Sequence, residues 1–484
     1  MVDVCHMLPK VKDILMRQQQ ILFCLALITL TMPMHARRLT SLSQSFLFTR
    51  PAYDNLGARE ALWDQASYGA QETCLNGIQA SAFATQSISS SQDGQYFMFD
   101  KKNKLIVGGS DHADRDVLLT WLDSSSTETG FREFIEIKPK TKQYGAMLQL
   151  HHCLGQHTSF KLFKRLWLEM SAPFTITKND LQLTASQTLT DLFNRADLTA
   201  AKLSPTERSK TNIAEVIVQL GTSFINNDNF LLSTRTGVGI PTAGSPDSTY
   251  TFNPVMGPNG HFSLISNINA QLPLTKDDAN GFVGIVGAVQ QRYYLPNKQY
   301  RVLDLDEKPW SRYLQFRKEG ETATVPGVKI LNQYVTVDPY NHIDLYAGMR
   351  FKRGGAQMDL GYNLWVHPTE QITLAKDGND TFTPDFTLYG IAGSTSAKSA
   401  SASTIKTLAI DDTGGFIVLK EADIDLASGA SQGTSLHRIS ASIGAKGKHK
   451  DTAGFGMISI FYEAPYNWAN FHQWGAWFKM GVTW

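Results

Sequence analysis

Gly475-Ala476-Trp477-Phe478-Lys479-Met480-Gly481-Val482-Thr483-Trp484 is the stretch whose reading decides the fold. Ala476, Phe478, Met480, Val482 and Trp484 fall on one face of a strand, because successive strand side chains point to opposite faces. Gly475, Trp477, Lys479, Gly481 and Thr483 fall on the other. In a soluble protein such a strand is expected inside the chain rather than on its final residues. An apolar face carried to a terminal aromatic ring suits a strand whose outer side meets hydrocarbon.

The same period recurs upstream. Ile343, Leu345, Ala347, Met349 and Phe351 alternate with Asp344, Tyr346, Gly348, Arg350 and Lys352. After a tight turn at Arg353-Gly354-Gly355, Met358, Leu360, Tyr362 and Leu364 alternate with Gln357, Asp359, Gly361, Asn363 and Trp365. Phe230 to Ile240, Phe262 to Leu272, Val283 to Tyr293 and Ile439 to Ala445 read the same way. Alternation alone suits a soluble sandwich as well as a membrane barrel. Two features favour the barrel. The strands reach ten residues or more, the length needed to cross a bilayer at a tilt. Short turns also alternate with long connections, expected near 178–210, 243–259, 296–339 and 375–434, as outer loops alternate with periplasmic turns. Tyr293, Tyr294, Tyr362, Trp365, Tyr462, Trp474 and Trp484 are expected to form interfacial girdles. The fold expected is all-β: a transmembrane antiparallel up-and-down barrel of 12–14 strands over residues 78–484, with short helices in its loops. An early strand near 78–87 has no evident partner, and Gln95–Phe99 with Leu105–Val107 read as a short hairpin.

The N-terminal residues carry an export pattern. Arg17 precedes an apolar run at 21–32, which is followed by Pro33-Met34-His35-Ala36. Residues 1–36 are therefore expected to be a signal peptide cut after Ala36, with translation starting at Met1, Met7 or Met16. Residues 37–77 are too apolar for a plain linker, given Arg50-Pro51-Ala52-Tyr53 and Leu62-Trp63, and are expected as a periplasmic arm or a plug in the lumen. Cys74 and Cys153 remain after cleavage; they could pair in an oxidising compartment, and two free buried thiols are expected.

Composition removes several functions. Basic and acidic residues number 45 and 44, so no global field invites nucleic acid. No Gly-x-Ser-x-Gly elbow or phosphate-binding glycine loop occurs, and His367, His437 and His472 pair with no serine at a telling spacing. His151-His152-Cys153 resembles a metal motif, but neighbouring strand residues face opposite sides. Asp377-Gly378-Asn379-Asp380 lacks the spacing and closing glutamate of a calcium loop, so a solvated turn is expected. No catalytic residue, metal site or cofactor is expected.

In these features the chain resembles the porin-like outer-membrane β-barrels of Gram-negative bacteria, over residues 78–484. The resemblance implies Phe478, Met480, Val482 and Trp484 as an assembly signal read by the barrel-assembly machinery; the family usually ends in Phe, and Trp484 departs from it. It further implies passive diffusion of small hydrophilic solutes through a wet lumen. Arg235, Arg292, Asp344, Arg350, Lys352, Asp359, Arg438, Lys446 and Lys479 project to the polar faces and are candidate pore-lining residues, as Glu136 and Glu215 are in the same reading. Alternatively they pair across strands and only solvate a narrow interior. Residues 309–318 are expected as a helix, either folded inward as a constriction or exposed on the surface. The runner-up function is a plugged barrel for hydrophobic compounds, similar to the long-chain fatty-acid transporter family, or a structural major surface protein. Partners implied are outer-membrane lipid, small solutes and a second copy of the chain.

Overall fold

The structure is a computed structural model that describes residues 43–61, 75–88, 92–109, 111–112, 114–123, 129–157, 165–227, 230–275, 281–391, 416–449 and 452–484. The proposed signal peptide and the serine-rich stretch 393–401 lie outside the described residues. Alternating residues along the chain produce twelve long strands: β1 (Gly77–Ser87), β2 (Lys140–Cys153), β3 (Leu166–Asp180), β4 (Glu215–Asn227), β5 (Phe230–Pro241), β6 (Ser263–Pro273), β7 (Phe282–Tyr294), β8 (Asn341–Arg353), β9 (Ala356–His367), β10 (Thr434–His449), β11 (Thr452–Pro465) and β12 (Gln473–Thr483). Each pairs antiparallel with its neighbours in sequence, and β1 pairs with β12, so the sheet closes on itself. The early strand at 78–87 is thus the closing strand, held by β2 on one side and β12 on the other. Beyond Ala214, Arg208–Ile213 extends the line of β4 and pairs with the upper part of β3. Closure removes both sheet edges, which the hydrocarbon region of a bilayer requires.

The outward faces are apolar. Leu148, Met170, Leu220, Leu264, Ile285, Met349, Leu360, Ile443, Ile460 and Phe478 are all exposed, and Ile443 and Ile460 each reach 61%. In a soluble sandwich these side chains would form the core; here they form a belt around the outside, matching a lipid-facing surface. Tyr362, Tyr462 and Trp474 lie on one lateral row with Ile439 across β9 to β12. All three rings are exposed, as at a membrane–water interface. Tyr362 and Tyr462 each hydrogen-bond a nearby histidine, His437 at 2.7 Å and His472 at 3.0 Å. Tyr294 and Trp365 depart from the expected girdle. Their positions in the pleat turn them inward, and both are buried.

The two ends of the barrel differ. At one end β8 and β9 are joined across two residues, Gly354 and Gly355, with Gly354 at φ +57 where glycine is favoured. At the other end the described residues of the connections 88–139, 181–214, 242–262, 295–340 and 368–433 fold together as a cap. Its core includes Phe97, Phe99, Leu105, Ile135, Leu189, Phe193, Trp310 and Tyr313, and a second cluster includes Leu303, Phe316, Val335 and Phe386. Helix α2 (Gln187–Asn194) begins at Ser186, whose hydroxyl accepts from the Leu189 N–H.

Three local expectations are corrected in the cap. Residues 309–318 form one 3-10 turn, Ser311–Tyr313, followed by a strand, Gln315–Lys318. The Asp304 carboxylate accepts from the Trp310 and Arg312 backbone N–H groups, which fixes Trp310 in a left-handed conformation (φ 64) and stops a helix from starting. Residues 95–107 are not a hairpin. A 3-10 turn, Asp93–Tyr96, precedes a strand, Lys104–Gly108, whose partners are Arg132–Glu136 and Val117–Leu118. Glu136 therefore sits in the cap beside Lys138 (3.1 Å), not on a barrel strand.

Candidate functional site

Residues 43–61 lie inside the barrel, and nearly all are buried. The segment starts among the cap loops, where Ser43 donates to Asp304 at 2.5 Å and Ser45 bonds the carbonyls of Val302 and Ser428. It then descends toward the turn end. Arg50 lies at the level of Asp344 on β8, Asn363 on β9 and Glu463 on β11. Its Nη2 meets Asp344 at 2.5 Å, and its Nη1 meets Glu463 at 3.1 Å and Asn363 Oδ1 at 2.8 Å. Its guanidinium carbon sits 5.6 Å from the centre of the Trp365 ring. Glu463 is shared with Arg438, 2.8 Å away on β10, and accepts from Gln473.

Lower contacts continue the same pattern. The Ala52 N–H donates to Gln143 of β2 at 2.7 Å, and Trp477 of β12 donates to the Ala52 carbonyl at 3.2 Å. Tyr53 donates to Glu215 at 2.8 Å, and Glu215 also holds Arg292. A single helical turn follows, α1 (Leu56–Glu60), capped by Asn55, whose side chain accepts from the Ala58 N–H. Gly57 admits the ring of Tyr346: a Cβ there would stand 2.5 Å from the ring's Cε2. Arg59 reaches Gln290 at 2.9 Å, and Glu60 pairs with Arg235, which Glu169 also holds at 3.0 Å. The Lys479 ammonium donates to the carbonyls of Ala58, Arg59 and Ala61. Those carbonyls end α1 and lack partners within it, and a cation there is stabilising.

The candidate residues read from the sequence fall into two sets. Arg235, Arg292, Asp344, Arg350, Asp359, Arg438 and Lys479 are inward and at most 3% exposed. All but Arg350 and Asp359 contact residues 43–61 directly or through one shared partner; those two pair with each other at 2.9 Å, with Gln271 on Arg350. Lys352 and Lys446 lie near the turn end, Lys352 half-buried over the Phe282 ring and Lys446 exposed. Phe478, Met480 and Trp484 are outward and exposed, and Val482 is 37% exposed. The N–H and C=O of Trp484 both bond Asn76 at 3.0 Å, carrying the β1–β12 seam to the last residue.

Sequence reading missed Arg50, Asp54, Arg59, Glu60, Glu169 and Glu463. The available signal was four charged residues, Arg50, Asp54, Arg59 and Glu60, in the short segment ahead of the first strand. Buried charges demand partners, and the polar barrel face supplies them. Tyr346, on the polar face of its strand, does not meet water: its ring packs with Leu56, Val286 and Ala288. Cys153 is disulfide-bonded and fully buried rather than a free thiol, and its partner lies outside the described residues. His151 and His152 face opposite sides, with His151 stacked on Trp167 at 5.4 Å. Asp377 closes a solvated turn by accepting from Asn379 and Thr381. Ser435 and His437 approach at 3.4 Å on β10, which is paired on both sides there.

In the cap above the lumen, His261 Nδ1 donates to the Leu295 carbonyl (2.8 Å) and its Nε2 accepts from the Gln299 amide (3.1 Å), and burial pushes its pKa down to about 4. Burial also raises Glu370, although Arg301 stands 3.3 Å away.

A closed antiparallel barrel with an apolar belt, an aromatic row at one rim and a polar interior is an outer-membrane β-barrel. No family model and no curated protein matches the sequence. Among solved structures, an outer membrane channel from Pseudomonas putida F1 is similar at 9% identity and a TM-score of 0.39, over 86% of this chain and 98% of that one. The transport unit of the autotransporter AIDA-I from Escherichia coli follows at 8% identity and 0.36, over 90% and 99%. A FadL homologue of Pseudomonas aeruginosa aligns at 8% and 0.28, over 93% and 97%.

Proposed function

We propose that the protein is a plugged outer-membrane channel for small hydrophilic solutes, closed at rest by residues 43–61 and opened when that segment shifts. The observation that carries this reading is the docking of Arg50, Tyr53, Arg59 and Glu60 onto inward side chains of strands β4, β5, β7, β8 and β11. An ungated diffusion pore would leave such side chains wet, whereas here they are buried against the segment. The wall itself is polar. Gln79, Ser81, Gln149, Thr175, Gln219, Ser233 and Asn267 face inward beside the charged residues, and this favours hydrated solutes over hydrophobic ones.

Solute flux into lipid vesicles tests the reading. The full chain should admit small sugars slowly, and deletion of 43–61 should admit them fast, with larger sugars still excluded. Equal slow flux from both proteins would support a structural role, and preferential entry of hydrophobic compounds would overturn the assignment to polar solutes.

A further inference from the structure

The surroundings of Arg50 have the composition of a ligand site. Two carboxylates, one amide oxygen and one indole face converge on a single planar cation, which is fully buried with them. The contacts are divided between the two terminal nitrogens, with Asp344 on Nη2 and Glu463 and Asn363 on Nη1. A planar fork satisfies this division, and a point charge such as ammonium does not. The Asp344 carboxylate is itself held in place by the Asn363 amide, and Glu463 by Gln473 and Arg438. Wall residues therefore help to hold both carboxylates in place. One buried donor of the wall at this level, Arg438 Nη1, has no hydrogen-bond partner among the described residues. The resident side chain leaves this donor unused, and a guanidinium-bearing solute that also carries an acceptor would use it.

Charge points the same way. If the segment withdraws, Asp344 and Glu463 face Arg438 alone, leaving one uncompensated negative charge in a low-dielectric wall. The vacated site then requires one monovalent cation. We propose that Asp344, Glu463, Asn363 and Trp365 form a binding site for guanidinium-bearing solutes, with Arg50 as its built-in occupant. A solute of this class competes with Arg50, and its binding holds the segment displaced. This proposal rests on the plugged-channel reading for its functional meaning, although the site itself is defined by the wall.

Full-length Arg50→Ala in lipid micelles, with methylguanidinium as the probe, tests it. Millimolar methylguanidinium should raise the melting temperature of this variant saturably, as a ligand of the folded state does. Methylammonium should need roughly tenfold higher concentration for the same shift, since it lacks the planar fork. Sodium chloride at equal ionic strength should have no saturable effect. Adding Asp344→Asn to Arg50→Ala should abolish the response, and the wild-type chain, with its site filled, should show little. An equal response to methylguanidinium and methylammonium, or one that survives Asp344→Asn, would overturn the proposal and leave the cluster as a latch only. Should Arg50→Ala fail to fold, wild-type bilayer recordings serve instead. Methylguanidinium should lengthen openings and methylammonium should not; identical effects would overturn the proposal. Binding without flux after deletion of 43–61 would defeat the channel reading alone, and flux without binding would defeat this proposal alone.

Discussion

Ile443 and Tyr346 show how a side chain's face sets its energetic role. Ile443 stands near the middle of β10 and is 61% exposed toward the belt. Ile443→Arg should destabilise the inserted barrel by about 2–4 kcal/mol, the cost of a lipid-facing cation near the midplane. Denaturant-driven unfolding from vesicles measures it, and a cost near zero would mean that this face meets water. Tyr346 points the other way, yet it meets protein: Leu56 and Gly57 cover it. Arginine there would displace the segment instead of entering solvent. The sequence made the two faces legible at the strands whose alternation it displays, because alternation reports direction. It did not show what fills the interior, since a polar wall facing water and a polar wall facing a charged segment have the same pattern.

At the scale of elements, the closing seam and the cap carry separate predictions. The apolar residues of β12 were legible before any coordinates, but the partner of β1 was not, because pairing between distant strands leaves no local mark. The seam extends to Trp484 through its two hydrogen bonds with Asn76. Deleting Trp484 removes those bonds and an exposed interfacial ring. Inserted protein should fall, with periplasmic accumulation and loss of heat-modifiable migration on a gel, and Trp484→Phe should restore both. Insertion at normal yield would reduce the terminal pattern to coincidence. In the cap, the helix expected at 309–318 was lost to Asp304, a carboxylate close in sequence whose backbone bonds no periodicity reveals. His261 contributes to the cap's response to acid. Its folded pKa of about 4 lies below the ordinary value of 6.5, so the unfolded cap binds the proton more readily. Its contribution is therefore complete above about pH 6.5 and is lost as pH falls toward 4. Protease access to the cap should rise over that window, and His261→Gln should flatten the change; an identical acid profile in the variant would contradict this role.

For the whole molecule, β-barrel closure, the outward apolar belt and the division into a turn end and a capped end follow from strand length, alternation and loop length. The docking of 43–61 does not. It depends on matching charges across hundreds of residues of sequence, as between Arg50 and Glu463, and a single sequence read by period carries no such pairing. The most direct measurement is single-channel current across a planar bilayer, comparing the wild-type chain with Arg50→Ala and with deletion of 43–61. Removing one partner of a buried ion pair costs about 3–5 kcal/mol, enough to shift a closed segment toward the open state. The wild type should show a quiet baseline with rare brief steps, Arg50→Ala frequent openings, and the deletion steady steps of larger size. Steady large steps from the wild type, or silence from all three, would contradict a lumen closed by its own N-terminal segment.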